Sequence, residues 1–276
     1  MAITIKEITM IGLALLFILP GGPVFANDLP VSSNVDIVPA AIDLTEATVT
    51  HVAVTATVTD TDGCADITGA TAKLFRTDLT SDCVAPNPNN CLAPVAMTLV
   101  ACSDTIATYA GDIEVQYYAD PGTWSLHVIP SDVSGSGTAG DDDTAVINTL
   151  TALNATSLIA YGELALGGVT PDTTAYDTIV TNTGNQTTIG VQVKSGNETA
   201  MVCTTGTIPV GNEKYDAVST APYASKTALT VSPVTVAGVS VPKGASGNTA
   251  TIGWGLQMPA HGVGGSCSGT VVFTAI

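Results

Sequence analysis

This sequence predicts an all-β protein, two sandwich domains behind a secretory signal peptide, and three observations carry that expectation. Val, Thr, Ala and Gly dominate and interleave, while clusters of Gly, Asn, Asp and Pro break the runs at short intervals. β-Branched residues fit a pleated, half-buried surface, and regular breakers mark turns between short strands. The six cysteines divide four and two between the halves of the chain. Such a split suits two independently closed units. Beyond the leader no segment carries a convincing helical period.

The leader comes first. Lys6 precedes the uncharged apolar run Ile8 to Leu19, which is followed by Pro20-Gly21-Gly22-Pro23 and by Val24-Phe25-Ala26, with small residues where a signal peptidase reads. Residues 1–26 are therefore expected to be a signal peptide, cleaved after Ala26. The run falls short of the ~20 apolar residues that a membrane-spanning helix needs, and no later run approaches that length. An extracellular or cell-surface location is the expectation, with no transmembrane segment in the mature chain.

Export removes Lys6 and Glu7 together, so the mature chain keeps the formal net charge of −17, although charged residues make up only 11% of the sequence. Nucleic acid is excluded as a partner, because no basic stripe exists to displace counterions from phosphates. Anionic membrane surfaces are poor partners for the same reason.

Residues 27–44 form a Pro-punctuated apolar arm that carries Val35, Ile37, Ile42 and Leu44. An extended segment of this kind either pairs with its own domain or adds a strand to a neighbour's open edge. In the second case the arm is a donor strand whose assembly contacts are Val35, Ile37, Ile42 and Leu44. A first domain follows over residues 45–148. Val52, Val54, Ala56 and Val58 point one way and Thr55, Thr57 and Thr59 the other. Ile113-Val115-Tyr117 opposes Glu114-Gln116-Tyr118, and Trp124, Leu126 and Val128 form the last strong strand. Ser131 to Asp143, rich in Gly and ending in three Asp, has the composition of a solvated loop or hinge.

The second domain is expected over residues 149–276. Tyr176 to Thr181, the turn Asn182-Thr183-Gly184-Asn185, and Ile189-Val191-Val193 open it; Ile252, Trp254, Leu256 and Met258 alternate; Thr270 to Ala275 closes it as a terminal strand. Seven or more short strands per half is an immunoglobulin-like count. Both tryptophans alternate with apolar neighbours and are expected in cores.

In an exported chain, disulfides are the default for an even number of cysteines. Cys64, Cys83, Cys91 and Cys102 allow three pairings. The favoured one joins Cys83 to Cys91 around a Pro/Asn loop and Cys64 to Cys102 across the sandwich, leaving Cys203 with Cys267. No C-x-x-C pair occurs, so zinc is not indicated.

Catalytic constellations are scarce. No G-x-S-x-G, H-E-x-x-H or phosphate-cradling loop is present, and His51, His127 and His261 sit in ordinary contexts. The chain is not expected to be an enzyme. The acidic loop around Asp60, Asp62 and Asp66 offers oxygen ligands at alternate positions before a turn glycine, as a calcium loop does, although an EF-hand register fails. Calcium is the one cofactor considered, and turn chemistry explains the same residues. Asn154, Asn185 and Asn197 lie in N-glycosylation sequons.

The runs Ile159-Ala160-Tyr161-Gly162-Glu163-Leu164, Gly167-Gly168-Val169-Thr170-Pro171, Asn182-Thr183-Gly184-Asn185, Trp254-Gly255-Leu256-Gln257-Met258-Pro259 and Gly269-Thr270-Val271-Val272-Phe273 follow in an order and spacing that resemble immunoglobulin-like modules of bacterial and archaeal cell-envelope proteins. The resemblance covers residues 149–276. Trp254-Gly255-Leu256 is also similar to the Trp-x-Leu motif of Gram-positive wall-binding domains, but the second such motif is missing and wall binding is not carried over. The resemblance implies a structural subunit of an extracellular filament or surface layer, partnered by itself or by other envelope proteins. The absence of a lipobox cysteine, sorting motif or C-terminal anchor favours retention by self-association. An adhesin or carbohydrate-binding module is the alternative.

Overall fold

A computed structural model describes residues 27–80, 83, 86–197 and 199–276. The expected signal peptide lies outside these residues. The fold is all-β; the only helical element among the described residues is a three-residue 3-10 turn, Val210–Asn212. Among the described residues no helix is long and apolar enough to cross a membrane.

The first ten strands are β1 (Val31–Val38), β2 (Ala41–Ile42), β3 (Val49–Thr59), β4 (Ile67–Arg76), β5 (Val95–Ala96), β6 (Thr98–Ser103), β7 (Ile106–Gln116), β8 (Gly122–Asp132), β9 (Thr138–Ala139) and β10 (Asp142–Ile147). They form two five-stranded sheets, ordered β6-β7-β3-β1-β9 and β2-β10-β8-β4-β5. The period-2 pattern read from Val52, Val54, Ala56 and Val58 puts all four into one core, where they meet Leu74 from β4 and Trp124, Leu126 and Val128 from β8. Two sheets thus close on one apolar layer as a sandwich.

The arm belongs to this sandwich. β1 runs antiparallel to β3, with Ile37 opposite Val54, and parallel to β9, while β2 runs parallel to β10. Ile37 and Ile42 are 2% and 1% exposed, Leu44 is buried with them, and the half-buried Val35 packs against the same core. This corrects the donor-strand expectation. Without β1, strand β3 would lose its second neighbour and the core its side wall, so residues 27–44 are consumed within their own domain.

The supposed hinge from Ser131 to Asp143 is corrected too. It holds the end of β8, all of β9 and the start of β10. Gly137 and Gly140 serve close approach: a Cβ on Gly137 would lie 1.8 Å from the Pro30 carbonyl oxygen, and one on Gly140 2.3 Å from that of Ser32. Only glycine lets the two backbones meet there. Gly137→Ala is accordingly expected to push the arm off β9 and cost about 1–3 kcal/mol, the usual penalty for overpacking. Thermal melts together with protease nicking near residue 30 check this; a variant as stable and as resistant as the parent would refute it.

The later strands are β11 (Leu153–Ala155), β12 (Asp177–Asn182), β13 (Thr188–Ile189), β14 (Val191–Ser195), β15 (Thr199–Thr205), β16 (Thr207–Pro209), β17 (Glu213–Asp216), β18 (Thr227–Ala228), β19 (Val234–Thr235), β20 (Val241–Pro242), β21 (Thr249–Leu256), β22 (Gly264–Ser268) and β23 (Val271–Ala275). A five-stranded sheet, β11-β12-β21-β17-β18, faces smaller sheets β19-β14-β23, β16-β15-β22 and β13-β20. Their shared core includes Val180, Val191, Val193, Tyr215, Ile252, Trp254 and Leu256.

Three disulfides staple the fold: Cys64–Cys102, Cys83–Cys91 and Cys203–Cys267. They suit an oxidising compartment. The two halves touch through polar groups. The Ala47 N–H donates to the Thr183 carbonyl at 3.2 Å, the Tyr117 hydroxyl to the Gly244 carbonyl at 3.0 Å, and the Lys243 ammonium to the Tyr118 carbonyl at 2.9 Å while also pairing with Asp120. Tyr117 and Tyr118, which the alternation places on opposite faces, both serve this junction.

Candidate functional site

Three features stand out once the fold is built, and the first lies at one end of the first sandwich. The inward register of β3 runs Val52, Val54, Ala56, Val58 and then, one slot beyond the strand, Asp60. The inward register of β8 runs Trp124, Leu126, Val128, Pro130 and then Asp132. Both registers end in a carboxylate at the mouth of the core, where Asp60 is 1% and Asp132 6% exposed. Asp66 joins them because it precedes Ile67, whose register partner on β8 is Asp132. One oxygen from each of Asp60, Asp66 and Asp132 lies within 4.8 Å of the others.

Local hydrogen bonds orient this cluster. Asp60 Oδ1 accepts from the Asp62 N–H at 2.9 Å, and the loop turns at Gly63, whose N–H donates to the Asp60 carbonyl. Asp132 Oδ1 accepts from the Ser134 and Gly135 N–H groups at 2.7 and 2.8 Å, and its Oδ2 from the Asn27 amide at 3.1 Å. Asp60 Oδ2 is buried with no hydrogen-bond partner. Asp62, expected to share the site, points elsewhere: it is exposed and accepts from the Asp28 N–H at 2.7 Å. The ligand expectation is thus corrected from Asp60, Asp62 and Asp66 to Asp60, Asp66 and Asp132, because the turn at Gly63 directs alternate residues to opposite sides. The Asp141 to Asp143 run is dispersed onto Asn34, His127 and Ile37.

The second feature is a sheet edge. β6 pairs only with β7, and all six of its residues are exposed. Leu99 and Val100 on this strand are 47% and 64% exposed, and Ile106, at the start of β7, is 49% exposed. No charge or proline guards Thr98–Ser103; only a register shift between Leu99 and Ala101 interrupts the ladder. The other outer strands of the first sandwich, β9, β2 and β5, have two residues each.

The third feature is a cleft of about 1070 Å³ in the second half, between residues 155–164 and strands β22 and β23. Ile159, Leu164, Met258 and Phe273 line it, with Tyr161 and Glu213 at its buried side. The Tyr161 hydroxyl donates to Glu213 Oε1 at 2.7 Å. Burial raises the Glu213 pKa above the usual carboxylate range, opposed by the Tyr161 hydrogen bond; burial and then the Glu213 charge push the Tyr161 phenol up. The pair is a fixed polar group at the buried side of a cleft of mixed polar and apolar lining, able to exchange a hydrogen bond with a ligand. Neither residue was singled out for chemistry in the sequence. The available signal was Glu213 two residues before Tyr215 on β17, where alternation turns both inward.

Of the sequon asparagines, Asn154 and Asn197 are exposed. Asn185 is 0% exposed. Its Oδ1 accepts from the Leu150 N–H and its Nδ2 donates to the Asn148 carbonyl, at 2.7 and 2.9 Å. Its amide is occupied in holding the linker between the halves, so it is corrected as a glycan site. His51 and His127 pair with Asp112 and Asp142, each at 2.7 Å. The Asp112 hydrogen bond raises the His51 pKa.

No family model and no curated protein matches this chain. Among solved structures it is similar to Pseudomonas fluorescens alkylpurine DNA glycosylase AlkC bound to DNA containing an abasic site analog, at 11% identity and a TM-score of 0.27, over 44% of this chain and 30% of that one. It is also similar to the chicken CNTN1 FN1-FN3 domains, at 11% identity and a TM-score of 0.24, over 90% of this chain and 68% of that one. Salmonella alpha-2-macroglobulin reacted with methylamine gives 11% identity and a TM-score of 0.27, over 91% of this chain and 15% of that one. These likenesses bear on no functional argument.

Proposed function

We propose that the chain is an exported structural subunit that assembles with copies of itself, or with other envelope proteins, into an extracellular filament or surface layer. The observation that carries this reading is the β6 edge: six exposed residues, uncharged and proline-free, on a sandwich whose other edges are two residues long. Natural proteins guard such an edge with lysine, proline, a β-bulge or a covering segment, because its free N–H and C=O groups template pairing with another strand, and of these β6 has only the register shift between Leu99 and Ala101. Here the occupant is a second copy's strand, added by main-chain hydrogen bonds with Leu99 and Val100 at the contact. The net charge of −17 opposes association, so assembly is expected to strengthen with salt, which screens repulsion beyond about 8–10 Å at 0.1–0.15 M.

The test is negative-stain imaging and sedimentation of the disulfide-bonded chain beside Leu99→Lys/Val100→Lys. Polymers from the parent and monomers of unchanged melting temperature from the variant are expected. Polymers of normal length from the variant would remove β6 from the assembly, and a parent that stays monomeric at every salt concentration would overturn the structural role. The cleft beside Tyr161 and Glu213 supports the second reading, a secreted adhesin or carbohydrate-binding module, and a monomer that retains a glycan is the result that would favour it.

A further inference from the structure

We propose that Asp60, Asp66 and Asp132 bind one calcium ion at the end of the first sandwich, a site independent of the assembly reading above. Two of the three carboxylates are almost wholly buried, at 1% and 6% exposure, yet no ion pair among the described residues involves any of them. Burying like charges together without a counter-charge is costly, and native buried charges are paired or bind metals. The buried Asp60 Oδ2, which has no hydrogen-bond partner, is an acceptor that a cation would satisfy. The N–H groups of Asp62, Ser134 and Gly135 and the Asn27 amide fix the Asp60 and Asp132 carboxylates while leaving further lone pairs for a ligand.

The chemistry favours calcium. The three oxygens lie within 4.8 Å of one another, close enough for one cation to bridge them, and calcium accepts irregular oxygen sets at about 2.3–2.6 Å whereas magnesium demands near-ideal octahedral geometry at about 2.0–2.1 Å. An all-oxygen donor set disfavours zinc and copper, which prefer nitrogen and sulfur. Backbone carbonyls and water would complete the six to eight ligands that calcium takes. The site ties the end of β3 in one sheet to the start of β4 and the end of β8 in the other. It also adjoins the Cys64–Cys102 disulfide and the β6–β7 turn, since the Cys64 N–H donates to the Asp104 carbonyl at 2.8 Å.

Calorimetric titration of the chelator-treated, disulfide-bonded chain with calcium chloride tests the proposal, with magnesium chloride in a parallel arm. One calcium per chain is expected, with Kd on the order of 10⁻⁴–10⁻³ M, as in extracellular modules. Calcium at ten times Kd should raise the melting temperature by about 3–6 °C. Asp132→Asn and Asp66→Asn should each weaken binding at least about tenfold, while Asp62→Asn should leave it unchanged, which separates this site from a simple loop site. Without calcium, Asp60→Asn should melt above the parent, because it removes one of the mutually repelling charges. No heat and no thermal shift at 10 mM calcium, or binding indifferent to Asp132→Asn, would overturn the site.

Discussion

Replacing Trp124 with alanine is expected to destabilise the first sandwich by about 3–5 kcal/mol, the range for removing a large aromatic from a packed core. Trp124 is 0% exposed, and its neighbours across β8 are Arg76 on β4 and Ala145 on β10. Its indole N–H donates to the Asp120 carbonyl at 2.9 Å. Alanine therefore leaves a cavity and a part-buried carbonyl without its donor. Trp124→Phe keeps most of the apolar volume and should lose about 1 kcal/mol for the missing hydrogen bond, with a smaller packing loss.

The chain has two tryptophans, and the second, Trp254, is 1% exposed in the other core. In Trp124→Ala, fluorescence thus follows the second half alone while circular dichroism follows the whole chain. A lowered first transition with little movement in the Trp254 signal is expected, because the contacts between the halves are mostly polar and confined to one junction, with Leu150 the apolar residue of the second half packed against the first core. A Trp254 transition that falls by the same amount would show that the junction through Tyr117, Lys243 and Thr183 welds both halves into one cooperative unit.

Strand alternation was legible in the sequence wherever one face is apolar and the other Thr-rich, as in Val52 to Thr59, because period 2 has one physical solution when one face must be buried. The arm was legible as a strand but not as to its partner. Alternating Val35 and Ile37 fit their own sheet or another's equally well, and only the glycine contacts at Gly137 and Gly140 decide between them. β10 was hidden because it opens on Asp142 and Asp143, whose charges are absorbed locally by His127 and by the Ile37 N–H. The acidic site was half legible. Asp60 and Asp66 lie six residues apart in one loop, but Asp132 arrives from β8, far along the chain and paired with β4, and its signal was a register: extending the inward positions of Trp124, Leu126 and Val128 by two more steps lands on it.

Removing the Cys203–Cys267 bond by double serine substitution is expected to cost the second half about 4 kcal/mol in the chain-entropy model. The bond closes the longest loop of the three, with a sequence separation of 64 against 38 and 8; the short Cys83–Cys91 loop is worth only about 2.5 kcal/mol on the same model. Local structure reinforces the argument. Cys203 on β15 faces Cys267 on β22 directly, and β22 reads Gly-Gly-Ser-Cys-Ser. Such a strand has no β-branched side chain with which to hold its place, so the disulfide and a few ladder bonds are its attachment. Because β22 also walls the cleft beside Tyr161 and Glu213, its release should open that wall before the core melts. Amide exchange is therefore expected to accelerate first across residues 264–268, with the Trp254 melt falling in the same variant. Retained protection of β22 alongside a loss below about 1 kcal/mol would mean that packing, not the covalent tie, holds the strand.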